Sequence, residues 1–179
     1  MEKDWYTENF MIDPLIPADA NQLYQFMVDN TDRLKYYLPV TLANNATLEK
    51  TIAYIATKNK EIEEKINFTF AIRNRITNEI AGLIIIKKID WANKQGEFAN
   101  CIGLHEEGKG LTSYAVKERI TFAFSELELK TLQIIAHKSN LGSVKVAKNN
   151  GFIWQKTMVN EFTPTNQAPL DMELYELTR

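Results

Sequence analysis

Apolar residues recur along the chain with two different periods, and each period predicts a different kind of element. Spacings of three and four residues predict helices over residues 19–29, 48–62 and 111–127, and a shorter helix follows over residues 140–150. Alternating or continuous apolar runs predict strands over residues 10–15, 68–72, 81–89, 97–104, 131–136, 152–162 and 172–177. Residues 32–39 show no clear period and are interpreted as a turn-rich connection.

The periods also predict which side chains face the core. Leu23, Phe26 and Met27 lie on one side of the first predicted helix. The second helix is marked by the helical spacing of Leu48, Ile52, Ile55, Ala56 and Ile62. Gly151 follows the last predicted helix directly and is well placed to end it.

The order of these elements predicts the fold class. Strands dominate, and helices are inserted early in the chain and again after residue 110, which is typical of an α+β or mixed α/β fold with a mostly antiparallel central sheet. We expect about six or seven strands flanked by about four helices. No internal repeat or low-complexity linker interrupts the sequence, so a single domain is predicted over residues 1–179.

One stretch, residues 96–115, carries the most specific local chemistry. A predicted strand passes into a short loop with Gly108 and Gly110, and the loop opens directly into a helix. Glycines allow the main chain to approach a ligand closely, and free N–H groups at a helix start attract anions. The stretch is therefore a candidate phosphate-binding loop.

Three interpretations of this loop can be compared on spacing. Gly103 to Lys109 fits the first seven positions of a nucleotide P-loop, but Gly110 stands where a Ser or Thr hydroxyl should hold Mg²⁺. A shorter loop of the form x-x-Gly-x-Gly could bind a diphosphate without metal. The third alternative is a plain turn, in which Glu106 and Glu107 simply favour a helix N-terminus.

Composition narrows the classes of function. The chain has 179 residues, 45% of them hydrophobic, and a formal net charge of −2, which gives no support for nucleic-acid binding. Cys101 is the single cysteine, and His105 and His137 are isolated, so neither a disulfide nor a metal site is expected. No apolar run reaches membrane-spanning length and no signal-peptide pattern is visible, so we expect a cytoplasmic protein without membrane contact.

Three motifs in order resemble the GNAT acetyltransferase superfamily, and within it the branch of ribosomal-protein N-terminal acetyltransferases. The resemblance extends from about residue 9 to residue 177. It implies a GNAT-like fold and a direct transfer of acetyl from acetyl-CoA to an amine, without a metal. The motifs are Gly108-Lys109-Gly110-Leu111-Thr112, Asn140-Leu-Gly-Ser143-Val-Lys-Val-Ala-Lys-Asn-Asn-Gly151-Phe152 and Asp171-Met-Glu-Leu-Tyr175-Glu-Leu177.

The resemblance also implies a set of cofactor contacts. The pantetheine arm would pair with the main chain of residues 102–104, as an added strand. In two places the sequence departs from the family, because His105 replaces an Arg or Gln and Asp13 replaces an Arg near the end of the first strand. The expected cofactor residues are Ile102, Gly103, Leu104, Glu107, Gly108, Lys109, Gly110, Leu111, Thr112 and Asn140.

Two residues are expected to act in catalysis. The resemblance places Glu97 as the base, acting through a water, and Ser143 as the acid for the departing thiolate, since Ala147 occupies the position where many members carry a Tyr. Each has a structural alternative: Glu97 as an exposed strand-end residue, Ser143 as a helix-start residue and Asn140 as a plain N-cap. His137 is a second candidate base, and Cys101 is expected to be a core residue.

The acceptor is predicted from the branch resemblance alone. It implies the N-terminal α-amine of a protein, and a homodimer is common among the enzymes that this sequence resembles. A small-molecule amine, such as a polyamine, an amino acid or an antibiotic, is the alternative within the enzyme class. A CoA-binding sensor without turnover is a third possibility, which the alanine at position 147 keeps open.

Overall fold

The structure is a computed structural model that describes residues 5–179. Within these residues there are seven strands and seven α-helices. The strands are β1 Phe10–Pro14, β2 Phe68–Asn74, β3 Ile80–Asp90, β4 Gln95–Ile102, β5 Thr131–Ala136, β6 Ile153–Phe162 and β7 Leu170–Thr178. The helices are α1 Trp5–Asn9, α2 Ala20–Asp29, α3 Thr31–Tyr37, α4 Pro39–Ala43, α5 Leu48–Glu63, α6 Leu111–Ser125 and α7 Leu141–Asn149.

The strands form one seven-stranded sheet in the order β1-β2-β3-β4-β5-β7-β6. The pairs β1–β2, β5–β7 and β6–β7 are antiparallel, whereas β4 and β5 pair in parallel. The predicted fold class is confirmed. The four helices expected from periodicity are α2, α5, α6 and α7, and the three added ones are short.

The chain divides into two compact units, and β3 and β4 contribute residues to both. The first unit contains β1, β2, α1 to α5 and residues 100–111. Its core forms where α2 and α5 present apolar side chains, and Leu23, Phe26 and Met27 are buried as predicted. The other core members include Leu15, Leu34, Ile55, Ala71, Leu83 and Cys101.

A buried arginine on β2, Arg73, forms ion pairs with Asp13 and Asp19. The Arg73 guanidinium donates two hydrogen bonds of 2.8 Å to Asp19 and one of 3.1 Å to Asp13. Burial alone would raise the pKa of Asp19, but the bonds from Arg73 and from the Ile16 N–H outweigh it and hold that pKa below its usual value. The hydrogen bond to Asp19 raises the pKa of Arg73.

One prediction about the helical region was wrong. Residues 32–39 are not a turn-rich connection, because α3 and α4 span most of the region. They contain seven and five residues, which is too short for a period to be recognised. Pro39 opens α4, a position where its missing N–H costs nothing.

Of the apolar residues that marked α5 by their spacing, Ile55 is buried but others are not. Thr51, Tyr54 and Ile55 are buried, whereas Leu48 and Ile52 are exposed. Two adjacent stripes of this helix fit a helical period, and the stripe that includes Tyr54 packs inward.

The second unit contains β5, β6, β7, α6 and α7. Its buried residues include Val116, Ala123, Leu132 and Ala147. Gly151 follows α7 with φ of 79°, and its N–H bonds the carbonyl of Lys148 at 3.1 Å. This is the helix stop that was predicted, since a left-handed residue after a helix favours glycine.

Candidate functional site

The parallel pairing of β4 with β5 covers only the first half of β4. It runs from Gln95 opposite Thr131 to Phe98 opposite Ile134, whereas β4 continues to Ile102. A strand whose pairing stops leaves backbone N–H and C=O groups along its edge. The end of β4 therefore offers an edge to which an extended ligand can add.

β4 leads into the glycine loop through a short turn. The Gly103 N–H donates to the carbonyl of Ala81 at 2.8 Å, and residues Leu104–Glu106 form a 3-10 turn. The strand was predicted to reach residue 104, but it ends at Ile102. Leu104 instead donates its N–H to the side-chain oxygen of Asn30 at 3.1 Å, which fixes the start of the turn.

The loop itself presents unpaired N–H groups in front of α6. Gly108 and Gly110 have φ of 75° and 81°, in the left-handed region that favours glycine. In the part of the chain from residue 5 to residue 179, no hydrogen bond is made by the N–H groups of Gly108, Lys109 and Gly110. Helix α6 begins at Leu111, so these groups lie at its positive end, an arrangement suited to an anion.

Gly110 is also required by space. A Cβ atom on Gly110 would lie 2.6 Å from the Tyr6 hydroxyl, which donates a hydrogen bond to the Lys109 carbonyl. A larger residue there would require the Tyr6 side chain to move, and would be strained by the positive φ. The N–H of Glu107, by contrast, already donates to Leu104 at 3.3 Å.

An arginine from α3 reaches the end of β4 and the loop together. Arg33 donates from Nη1 to the Ile102 carbonyl at 2.8 Å, and its Nη2 lies 3.1 Å from Oε1 of Glu107. In the loop, Lys109 lies 3.7 Å from Glu106. Each loop carboxylate thus has a cationic neighbour.

Glu97 lies near the start of β4, in the second unit. Its side chain is only 10% exposed, with Lys87 at 3.8 Å and Lys88 at 3.5 Å from its two carboxylate oxygens. It is therefore not the exposed strand-end residue of the alternative interpretation. A carboxylate held by two lysines can accept a proton from a water only where those contacts leave an oxygen accessible.

The start of α7 carries Asn140 and Ser143. Asn140 is an N-cap, and its side-chain oxygen accepts from the Ser143 N–H at 3.2 Å. The half-buried Ser143 hydroxyl makes no hydrogen bond with any residue from 5 to 179, so it is available to a ligand. Ala147, four residues after Ser143, is fully buried. No hydrogen bond joins Ser143 to Glu97 in the same span.

The two other candidates have local roles. His137 lies in the loop after β5, where its Nδ1 accepts from the Ser139 N–H at 3.1 Å and lies 2.6 Å from the Ser139 hydroxyl. Cys101 is buried in the first unit, and burial raises the pKa of its thiol to about 12. A thiol in that state is a poor nucleophile.

A cavity of about 550 Å³ lies within the first unit, beside α2 and the turn after β4. Its lining includes the acidic residues Asp29, Glu79 and Glu106 together with His105, and no lysine or arginine. Among residues 5–179 no group of three or more metal-ligating side chains occurs. Over the same residues, none of the helices combines the length and the apolar character that a membrane span requires.

Sequence reasoning missed Arg33 and Asn30. Both contact the end of β4 from positions 69 and 74 residues earlier in the chain, and neither belongs to a recognisable motif. The only local signal for them was that a polar residue stands at each end of residues 30–33. Their contacts depend on how α2 and α3 pack in the first unit.

Comparison with known proteins agrees with this architecture. The profile of the Acetyltransferase (GNAT) domain matches residues 9–153. The chain is 29% identical over 152 residues to YdaF of Bacillus subtilis (strain 168), provisionally named a ribosomal N-acetyltransferase, and covers 79% of that protein with 82% of its own length.

Two solved structures share the fold. A ribosomal-protein alanine acetyltransferase of Vibrio fischeri superposes with a TM-score of 0.88 at 18% identity, covering 99% of this chain and 95% of that one. A spermidine N-acetyltransferase of Vibrio cholerae, in complex with CoA and spermine, gives 0.75 at 17% identity with 96% of both chains covered. The domain match over most of the sequence, together with these relatives, shows that the chain belongs to the GNAT acetyltransferase family and is an N-acetyltransferase.

Proposed function

We propose that this protein transfers the acetyl group of acetyl-CoA to the N-terminal α-amine of a protein. The cofactor assignment rests on the loop of residues 108–110, whose three N–H groups, at the start of α6, make no hydrogen bond with the described part of the chain. Such a loop fits a diphosphate, and GNAT acetyltransferases use acetyl-CoA. The residues that would hold the diphosphate are Gly108, Lys109, Gly110, Leu111 and Thr112.

The pantetheine arm would lie along the free edge of β4. Its pairing with β5 stops at Phe98, and an extended chain with amide groups can continue the ladder from there. The Ile102 carbonyl is already bonded to Arg33, so the arm would share or displace that contact. Asn140 would add a donor from its amide nitrogen, since its oxygen caps α7.

The chemistry needs one base and one acid. The neutral amine attacks the acetyl carbonyl, a C–N bond forms, and the C–S bond breaks to release the CoA thiolate. We assign Glu97 to take the amine proton through a water. The Ser143 hydroxyl donates its proton to the thiolate and takes a proton back from solvent, while Glu97 releases the amine proton to solvent; the available hydroxyl of Ser143 supports this role. The products are an N-acetyl amine and the free CoA thiol.

The protein acceptor rests on likeness to proteins whose names assign them to ribosomal proteins. One observation favours a second candidate, a cationic small-molecule amine. The cavity beside α2 is lined by three acidic residues and no lysine or arginine, which suits a polyamine-like cation. A single domain, a homodimer and a cytoplasmic location remain predictions.

Calorimetric titration with acetyl-CoA tests the cofactor, with ATP–Mg²⁺ as the control for the P-loop alternative. Binding of acetyl-CoA alone supports the proposal, and binding of ATP in its place refutes it. Acceptor assays then compare peptides that begin with Ser or Ala against spermidine and free amino acids. Transfer to the peptides supports the protein acceptor, and transfer only to spermidine supports the cationic amine.

Two variants test the catalytic residues. Glu97→Gln and Ser143→Ala should each lower kcat at least about tenfold, which corresponds to about 1.4 kcal/mol in barrier height. CoA affinity should change little, because neither side chain is proposed to contact the diphosphate. If both variants keep the wild-type kcat, the assigned roles are wrong. CoA binding without transfer to any amine would instead indicate a sensor.

A further inference from the structure

We infer that Arg33 is the counter-charge of the cofactor loop: it neutralises Glu107 so that the neighbouring N–H groups can donate hydrogen bonds to the diphosphate of CoA. This inference rests on the proposed function, because it assumes that the loop binds a diphosphate. Arg33 is a positioning residue in this role. It acts through Glu107 and through the strand that precedes the loop.

The charges of the loop explain why a counter-charge is needed. Between residues 103 and 111 the sequence has two carboxylates, Glu106 and Glu107, and one cation, Lys109. Lys109 lies 3.7 Å from Glu106, which leaves Glu107 without a cation from the loop itself. A diphosphate brought to Gly108 would meet this uncompensated negative charge at the adjacent residue.

Arg33 supplies the missing charge from outside the loop. Its Nη2 lies 3.1 Å from Oε1 of Glu107, and the Arg33 side chain is 28% exposed compared with 58% for Glu107. Arg33 is therefore the more buried partner of the pair, and Glu107 is the more exposed one. With Arg33 in place, the charged side chains at the loop balance.

The position of Arg33 is fixed by a second bond. Its Nη1 donates to the Ile102 carbonyl at 2.8 Å, so one guanidinium joins the end of β4 to the loop. One turn earlier, the buried Asn30 accepts from the Leu104 N–H at 3.1 Å and donates to the Phe26 carbonyl at 2.8 Å. These contacts hold the α2–α3 junction against both ends of the turn, which places the Arg33 charge at Glu107 and not elsewhere.

The side of β4 that Arg33 contacts adds to this argument. Gly103 directs its N–H to Ala81 on β3, and successive residues of a strand direct their backbone groups to opposite edges. The Ile102 carbonyl therefore faces away from β3. That is the edge to which the pantetheine arm would add, so Arg33 stands beside the proposed path of the cofactor.

The experiment is a double-mutant cycle on CoA affinity at low ionic strength. The proteins are wild type, Arg33→Gln, Glu107→Gln and the double variant. We expect Arg33→Gln to weaken CoA binding about tenfold, but less than threefold when Glu107 is already Gln. Raising the salt concentration should shrink the Arg33 effect, because charges at a surface are screened.

Two controls separate local charge from other effects. Lys35→Gln removes the same charge from the same helix, where Lys35 pairs with Asp32 at 3.3 Å, and should change CoA affinity less than about twofold. S-acetylpantetheine lacks the diphosphate, so Arg33→Gln should change its turnover less than about threefold, the part of the effect that acts through the Ile102 carbonyl. A thermal melt shows whether each variant is folded. If Arg33→Gln does not fold, Glu107→Gln remains informative, since it should bind CoA at least as tightly as wild type.

The outcomes distinguish the inference from the proposed function. If wild type binds no CoA, the proposed function fails and the inference fails with it. If wild type binds CoA but Arg33→Gln lowers CoA affinity by the same factor in wild type and in Glu107→Gln, only the inference is overturned. It is equally overturned by an effect of Lys35→Gln as large as that of Arg33→Gln, by an equal loss with S-acetylpantetheine, or by weaker CoA binding in Glu107→Gln.

Discussion

Two of the arginine–carboxylate pairs in the first unit have nearly the same length and very different surroundings. Arg73 and Asp19 are 2.8 Å apart with side chains only 3% and 2% exposed. Arg33 and Glu107 are 3.1 Å apart, with 28% and 58% exposed. Distance alone would rank the pairs as equals, whereas their burial predicts that removing one partner costs far more stability at the first pair than at the second, which we propose to act in anion binding.

The largest effect is expected at the buried pair. Arg73→Met leaves the Asp19 carboxylate buried without its partner, and should lower the free energy of unfolding by about 3–5 kcal/mol. Urea unfolding at neutral pH measures this. Adding Asp19→Asn to Arg73→Met removes the orphaned charge and should recover part of the loss. If Arg73→Met unfolds at the wild-type urea midpoint, the pair does not carry the stability assigned to it.

A smaller effect is expected from pH. The pKa of Asp19 is held below its usual value, so its stabilising contribution is fully present above the unfolded pKa of about 3.9 and is lost as the pH falls through the lower folded pKa. The stability difference between wild type and Asp19→Asn should therefore be largest near neutral pH and shrink in acid. Unfolding curves at several pH values measure it. A difference that stays constant down to pH 2 contradicts the assignment.

The smallest effect on stability is expected at the exposed pair. Arg33→Gln should change the free energy of unfolding by less than about 1 kcal/mol, because an exposed ion pair gains little over its hydrated ions. The same urea experiment as for Arg73→Met gives a direct comparison. A loss of several kcal/mol would make Arg33 a structural residue and remove the contrast between the two pairs.

The sequence predicted the parts of the molecule that depend on local pattern. Every predicted strand is present, and the helix that starts after Gly110 begins at Leu111. These elements follow from runs of apolar residues and from turns whose backbone conformation favours glycine. The same local information places the candidate loop, because strand, loop and helix are consecutive in the chain.

The contacts that define the site were not predictable in this way. Glu97 on β4 is flanked by Lys87 and Lys88 on β3, and these contacts arise only when the two strands pair. Arg33 lies in α3, whose seven residues were interpreted as a connection, and its partners are far along the chain. The bond from Arg73 to Asp13 on the neighbouring strand is likewise visible only in three dimensions.

The burial of Cys101 has a practical consequence for the study of this protein. Released CoA is a thiol, and colorimetric reagents that titrate thiols can follow acetyl transfer continuously. Because the single cysteine of the chain is buried and its pKa is raised to about 12, the folded enzyme should contribute almost no background colour. Slow labelling of Cys101 in the absence of substrate would then report how often the first unit opens.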